Sequence, residues 1–278
     1  MPDVFGFDAY SPKEIAERVD SVGVTKARLP LLSMTMLAVL AGAFIGLGAL
    51  YYTLVVADGS LGFAATRVLG GVCFSLGLLL VVVAGAELFT GNNLLAMAWA
   101  SGRISTKEVL RNWVVVCAGN FVGASGLAVM VWLSGHPSLN GGAIGQTTLA
   151  IAIGKTTLPF WEALFRGALC NVLVCMAVWM AMAGRSVADK AIAIVFPISA
   201  FVAAGFEHSI ANMYFVPLAM LLTLSGMTAP GAESVTWAGL AGNLFPVIIG
   251  NLLGGSVLVA LVYYVVYLRS AGVAGKQE

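Results

Sequence analysis

The sequence predicts an all-α membrane protein: six transmembrane helices in two inverted three-helix repeats, with the second and fifth helices broken. Three observations carry this reading: the composition, six apolar stretches of helical length, and polar signals that recur in the same order in both halves. Of the 278 residues 60% are hydrophobic and 10% charged, and the mean hydropathy is +0.96. A soluble domain carries about 25% charged residues, so the surface of this chain faces lipid. One membrane domain, 30–268, uses most of the length, with 1–29 read as a cytoplasmic amphipathic helix and 269–278 as a cytoplasmic tail.

The N-terminal segment lacks the basic start and short apolar core of a signal peptide. Ser11 and Glu14 form a capping-box pattern around Pro12, and Ile15, Val19 and Val22 recur on one face. A short helix follows, expected at the membrane surface or against a neighbouring subunit in a packing role. Apolar stretches then fall at about 30–56, 67–100, 109–134, 160–184, 191–224 and 243–268. Lys13, Arg18, Lys26, Arg28, Arg103, Lys107, Arg111, Arg185, Lys190, Arg269 and Lys276 fall on one side of these six spans. Only Arg67, Lys155 and Arg166 fall on the other, so the positive-inside rule puts both termini in the cytoplasm.

A hydrocarbon core of about 30 Å needs about 20 helical residues, and the second and fifth stretches exceed that. Each contains a polar interruption, AGAELFTGNN at 84–93 and AAGFEHSIAN at 203–212. Their alignment pairs Glu87 with Glu207 and Asn92 with Asn212. Gly119-Asn120-Phe-Val-Gly123 then pairs with Gly250-Asn251-Leu-Leu-Gly254, so G-N-x-x-G follows the break in each half. This recurrence across two sets of three spans is the signature of an inverted repeat. Irregular backbone at membrane depth must be buried in protein or line a cavity, so the two breaks are expected to meet. Half-helix N-termini aimed at that point favour an anion, and the residues alone indicate a pore or carrier for a small anionic solute.

Other chemistry is sparse. A net charge of +1 without a basic run gives no footprint for nucleic acid. Cys73, Cys117, Cys170 and Cys175 lie in apolar stretches without metal-ligand spacing and read as buried thiols, so no metal or cofactor is expected. With His136 in the SGHPSLNGG loop, His208 is the one histidine in the spans, which disfavours a haem subunit and a paired-histidine ammonium pore.

AELFTGNN (86–93), KTTLPFWEALFRGALCNVLVCMAVWMA (155–181) and GFEHSIANMYFVP (205–217) stand in the order of three family signatures, and with them the chain resembles the formate/nitrite transporter family. The resemblance covers almost the whole chain. It implies an aquaporin-like fold, a homopentamer with one pore per protomer, and movement of small monovalent anions across a bacterial inner membrane. It maps the central pore histidine to His208, its partner threonine to Thr90 and the anion-attracting lysine to Lys155, in the loop before the fourth span. Asn171 and Asn251 match pore asparagines of the family, while Glu207 and Asn212 are expected to orient the histidine. The narrow points map to Phe74 and Phe201 on the outer side and to Leu78, Leu88, Phe89 and Val174 on the inner. In this reading Leu88 stands where the second half has His208, which makes the histidine the residue for solute chemistry. A carboxylate stripped of water between the narrow points has a raised pKa, so it is expected to take a proton from His208 or its surroundings and to cross as the neutral acid.

Within the family, GFEHSIANMYFVP and GRSVADKA (184–191) favour formate, whereas ELFTGNN, KTT and GALCN look equally like the nitrite branch; hydrosulfide is the third candidate. The enzyme alternative is an intramembrane serine protease built on Ser125 in G-A-S-G with His208. Small residues of that kind are ordinary packing residues in membrane helices, and no catalytic residue is assigned.

Overall fold

The computed structural model describes residues 9–269, and every described element is helical. The amphipathic segment forms α1 (Pro12–Ala27), started by the expected capping box: the Ser11 hydroxyl accepts from the Glu14 N–H, and the Glu14 carboxylate accepts from the Ser11 N–H. Those bonds hold the Glu14 carboxyl below its ordinary pKa. The first span is α2 (Leu31–Val56) and the second starts as α3 (Phe63–Ala84). A 3₁₀ turn (Gly91–Leu94) and the short α4 (Leu95–Ala100) complete the second span, and α5 (Thr106–Leu133) is the third. The second half consists of α6 (Ala143–Thr156), α7 (Phe160–Ala181), α8 (Val187–Ala204), α9 (Ser209–Leu224) and α10 (Trp237–Leu252). The last helix continues in wider π-type turns to Leu268. Six helices, α2, α3, α5, α7, α8 and the extended α10, are long and apolar enough to cross a membrane.

Two features differ from the expectation. The segment before the fourth span is a 14-residue helix, α6, so Lys155 sits in its last turn and not in a loop. Its apolar residues lie among glycines; Gly141 and Gly142, at φ 60° and 88°, make the turn that starts it. The sixth span begins at Trp237, with Thr236 as N-cap to the Gly239 N–H. Helix α1 packs Ile15, Ala16 and Val19 onto Leu94, Ala96, Met97 and Trp179 of its own chain. Arg103 pairs with Asp20 to fix it there, and Arg28 pairs with Glu108. Residues 1–8 and 270–278, including Lys276 and most of the C-terminal segment, lie outside the described residues.

Helix α2 packs against α3 and α5, and α7 packs against α8 and α10, the same arrangement in each half. The G-N-x-x-G glycines make this close approach possible. A Cβ on Gly123 would fall on the carbonyl oxygen of Val39, and one on Gly254 would fall on that of Ala168. Small residues that let membrane helices approach backbone to backbone are the expected device where the hydrophobic effect gives no drive for association.

Candidate functional site

Both breaks begin at a glycine in the left-handed region, Gly85 at φ 82° and Gly205 at φ 76°. A residue with a Cβ is strained there, and the reversal sends each chain back into the protein. The next helical turns start at Gly91 and at Ser209, so two half-helix N-termini face the interior. The side chain just before each is Thr90 or His208, and Thr90 Oγ1 lies 3.0 Å from His208 Nε2, with both residues buried.

His208 is also the N-cap of α9: its Nδ1 accepts the Ala211 N–H at 3.2 Å. A backbone N–H can only donate, so Nδ1 carries no proton and the neutral ring bears its hydrogen on Nε2. Nε2 then donates to Thr90 Oγ1, which leaves the threonine hydroxyl hydrogen without a partner among the described residues. The ring stacks on Phe201 at 5.9 Å between centroids and meets Phe74 edge-on at 6.5 Å.

A matched polar frame holds each break. Lys26 Nζ donates to Glu87 Oε1 at 2.6 Å and to Asn92 Oδ1 at 3.1 Å, while Asn92 Nδ2 donates to Glu87 Oε2 at 2.7 Å. In the other half Lys155 Nζ donates to Glu207 Oε1 at 3.0 Å and Asn212 Nδ2 donates to Glu207 Oε2 at 2.7 Å. Asn112 and Asn243 accept from Asn92 and Asn212 and donate to the carbonyls of Lys26 and Lys155. Asn120 bonds the carbonyls of Ala38 and Glu87, and Asn251 those of Gly167 and Glu207. Buried carboxylates are tolerable only when paired and fully hydrogen-bonded, and this frame meets that need twice.

The sequence reading did not assign Lys26, Asn112 or Asn243. The signal is present, since Lys26-Ala-Arg-Leu-Pro30 and Lys155-Thr-Thr-Leu-Pro159 share K-x-x-L-P. It becomes visible only once α6 is known to be a helix equivalent to α1.

Two cavities lie on the α1 and α6 sides of the Thr90–His208 pair; His208 lines the second, and Thr90, fully buried, lines neither. One, of about 360 Å³, lies on the α1 side and is lined by Lys26, Glu87, Leu88, Leu78, Arg18 and Lys190. The other, of about 270 Å³, lies on the α6 side and is lined by Lys155, Glu207, His208, Phe74 and Phe201 among others. Phe74 and Leu78 are one turn apart on α3, about 6 Å along its axis at a rise of 1.5 Å per residue, and they line the α6-side and α1-side cavities respectively. Phe89 and Val174 pack in the main core and line neither cavity. Asn171 lines neither cavity: its Nδ2 is shared among Thr90 O, Asn93 Oδ1 and Asn251 O, while its Oδ1 has no partner among the described residues. Asn251 spends its amide on the backbone, accepting from the Ser209 N–H as well.

Ser125 donates to the Met213 carbonyl at 3.1 Å and His208 is committed to Thr90 and Ala211. The two do not form the nucleophile–base pair that a serine protease requires. Among the described residues there is no cluster of metal-ligating side chains.

Comparison with known proteins gives a consistent result. Residues 13–265 match the family model for the formate/nitrite transporter. The chain is similar to the formate channel FocA of Escherichia coli (strain K12), 41% identical over 274 residues that cover 95% of this chain and 96% of that protein. Its fold is similar to a solved pentameric formate channel with formate bound, at TM-score 0.79 and 38% identity, covering 86% of this chain and 98% of that one. A solved FNT family ion channel gives TM-score 0.81 at 31% identity, covering 91% of this chain and 98% of that one.

Proposed function

The chain belongs to the formate/nitrite transporter family, and from that premise we propose that it is a channel for small monovalent anions, with formate as its principal solute, in a bacterial inner membrane. The single observation that carries the reading is the Thr90–His208 contact at 3.0 Å, with one cavity on its α1 side and another on its α6 side. A neutral path lined by Phe74, Phe201, Leu78 and Leu88 strips water from the ion. Thr90 and His208 offer the hydrogen bonds that replace part of that water.

Among the described residues Arg67, Lys155 and Arg166 line the cavity on the side opposite α1, while the sequence order of the spans assigns the other basic residues to the α1 side. By the positive-inside rule the α1 face is cytoplasmic, and with it both termini. The protomers assemble as a homopentamer, by analogy with the pentameric formate channel of the same fold. Lys155 draws the anion into its cavity and Lys26 does the same on the α1 side, each keeping its glutamate partner. Asn171 and Asn251 hold the two breaks together, as do Asn120 and the asparagines of the polar frame.

Proton coupling through His208 has a structural condition. The ring can give up a proton to formate only from its doubly protonated form, because the alternative is an imidazolate. A proton on Nδ1 would oppose the Ala211 N–H, so loading the relay uncaps α9. Vesicles reconstituted with the full chain test the whole reading: formate, nitrite and hydrosulfide uptake followed by stopped flow at two pH values. Formate uptake that equals the protein-free leak would sink it, and faster nitrite or hydrosulfide uptake would reassign the solute within the family.

A further inference from the structure

The three basic residues of the face opposite α1, Arg67, Lys155 and Arg166, all line the same cavity of about 270 Å³. Glu207 is the one acidic residue in that lining, so cations outnumber carboxylates there. The three are not equivalent. Lys155 is paired with Glu207 and Arg166 with Glu162, so an acid of their own partly neutralises each. Among the described residues Arg67 bonds only to neutral groups: Nε donates to Ala203 O at 2.9 Å and Nη2 to Val202 O at 3.0 Å. Those are last-turn carbonyls of α8, whose helix end carries about −0.5 of a charge. The guanidinium therefore covers two acceptors that would repel an anion and leaves a positive charge that the helix end only partly offsets. Nη1 is uncommitted among the described residues.

Tyr52 stands beside it. Its ring packs on Gly70, on the same face of α3 as Arg67 and one turn along, and a Cβ on Gly70 would come 2.9 Å from Tyr52 Cδ2. Edge-on contacts to Phe74 and Phe215, at 6.4 and 6.3 Å between centroids, fix the ring. The hydroxyl makes no hydrogen bond among the described residues, yet Tyr52 lines the cavity and is only 8% exposed. Its oxygen is not among the fully buried side-chain atoms that lack a partner, so the hydroxyl is open to the cavity space. At about 30 Å³ per water the cavity has room for an anion that still keeps part of its shell, ahead of Phe74 and Phe201.

We propose that this cavity holds a docking site for a partly hydrated monovalent oxyanion, with Arg67 and the Tyr52 hydroxyl as its direct donors and Phe74 and Phe201 as the step that follows. The site rests on the channel reading and adds two residues to it. Gly205 belongs to the same construction, because its Cβ would lie 2.8 Å from Arg67 Nη2 and displace the guanidinium.

The test uses full-length protein inserted in one orientation in vesicles, with sodium formate as the probe at pH 7. Half-saturating formate is measured for flux entering from each face, for wild type, Arg67→Gln, Arg67→Lys and Tyr52→Phe. Loss of a charge-assisted donor is expected to raise half-saturation from the Arg67 face about tenfold in Arg67→Gln, and about threefold in Tyr52→Phe. Arg67→Lys should fall between wild type and Arg67→Gln, and flux entering from the α1 face should keep its half-saturation in every variant. An unchanged value from the Arg67 face, or an equal rise from both faces, overturns the docking site while wild-type conduction stands. If wild type conducts none of formate, nitrite and hydrosulfide, the channel reading falls instead. If Arg67→Gln yields no oligomer, Tyr52→Phe decides: a threefold rise supports the site and no rise overturns it.

Discussion

Lys26 and Lys155 occupy equivalent places in the two halves of the chain. Each lies in the last turn of a short helix, donates its ammonium to the glutamate of the nearest break and accepts at its backbone carbonyl from an asparagine of the last span of its own half, Asn112 on α5 or Asn243 on α10. The two-fold relation therefore includes the short helices, and the repeat unit is α1–α5 against α6–α10. The halves part company at the breaks, where Leu88 and Thr90 stand opposite His208 and Ile210. A matched frame thus holds an unmatched pair of side chains at the centre.

The two ion pairs differ in burial, and that sets their sensitivity. The Lys155 and Glu207 side chains are 13% and 7% exposed, against 26% and 5% for Lys26 and Glu87. Removing one member of a buried pair strands the other charge, at about 3–5 kcal/mol when the pair is fully dry. Lys155→Met is expected to lose about 2–4 kcal/mol of stability, with Lys26→Met losing less because water reaches it. Adding Glu207→Gln to Lys155→Met should restore most of the loss. Thermal unfolding of the detergent-solubilised oligomer checks this, and a double variant no more stable than the single one refutes the stranded-charge account.

Gly123 and Gly126 lie on the same helix in different surroundings. A Cβ at Gly123 meets the Val39 carbonyl oxygen, whereas one at Gly126 meets nothing within 4 Å. Gly123→Ala must push α2 off α5, and overpacking of this kind costs about 1–3 kcal/mol or more. It should reduce the yield of folded oligomer sharply, as should Gly254→Ala at the equivalent contact. Gly126→Ala should be neutral or slightly stabilising. Expression followed by size-exclusion chromatography separates these outcomes, and equal yields from the Gly123 and Gly126 variants would contradict the packing.

The polar signals were legible in the sequence for a physical reason. A charged or amide side chain in an apolar span has to be compensated, so Glu87, Asn92, Glu207, Asn212, Asn120 and Asn251 mark the breaks and their supports before any coordinates. The spans were legible because lipid demands length and apolarity together. Helix α6 was not, because a short helix tucked over the protein needs neither a polar stripe nor a membrane-length run, and AIGQTTLAIAIGKT shows neither. Lys26 was hidden for the same cause: without α6 as a partner for α1, one lysine among many on its face carries no message. The identity of Tyr52 as a cavity residue depends on the ring resting on Gly70, a contact that no spacing announces.

Leu78 and Phe74 form neighbouring faces of the wall between the cavities, with Leu78 2% exposed. Leu78→Ala shortens that wall on the α1 side without touching Thr90 or His208. Discrimination built on a methyl or two in an apolar slot is worth about 10–200-fold, so the ratio of formate to acetate flux should fall about tenfold in the variant. Formate flux itself should hold or rise. Stopped-flow uptake of the two acids at one pH provides the measurement, and an unchanged ratio would mean that Leu78 is packing and not a narrow point.

His208 serves two roles that substitution can separate. As N-cap it satisfies the Ala211 N–H, and as pore residue it presents Nε2 to Thr90. Asparagine is a good N-cap and phenylalanine is none, the difference being about 1 kcal/mol. His208→Asn should therefore keep the stability of the oligomer, while His208→Phe should lose about that amount. Neither variant retains an imidazole, so the two should share a formate flux that no longer depends on the pH of the ring's titration. Equal stability of the two variants would remove the capping role, and a pH profile unchanged from wild type in both would remove the proton relay. If stability splits the variants while the flattened pH profile unites them, the histidine is at once the start of α9 and the group that exchanges protons with the solute.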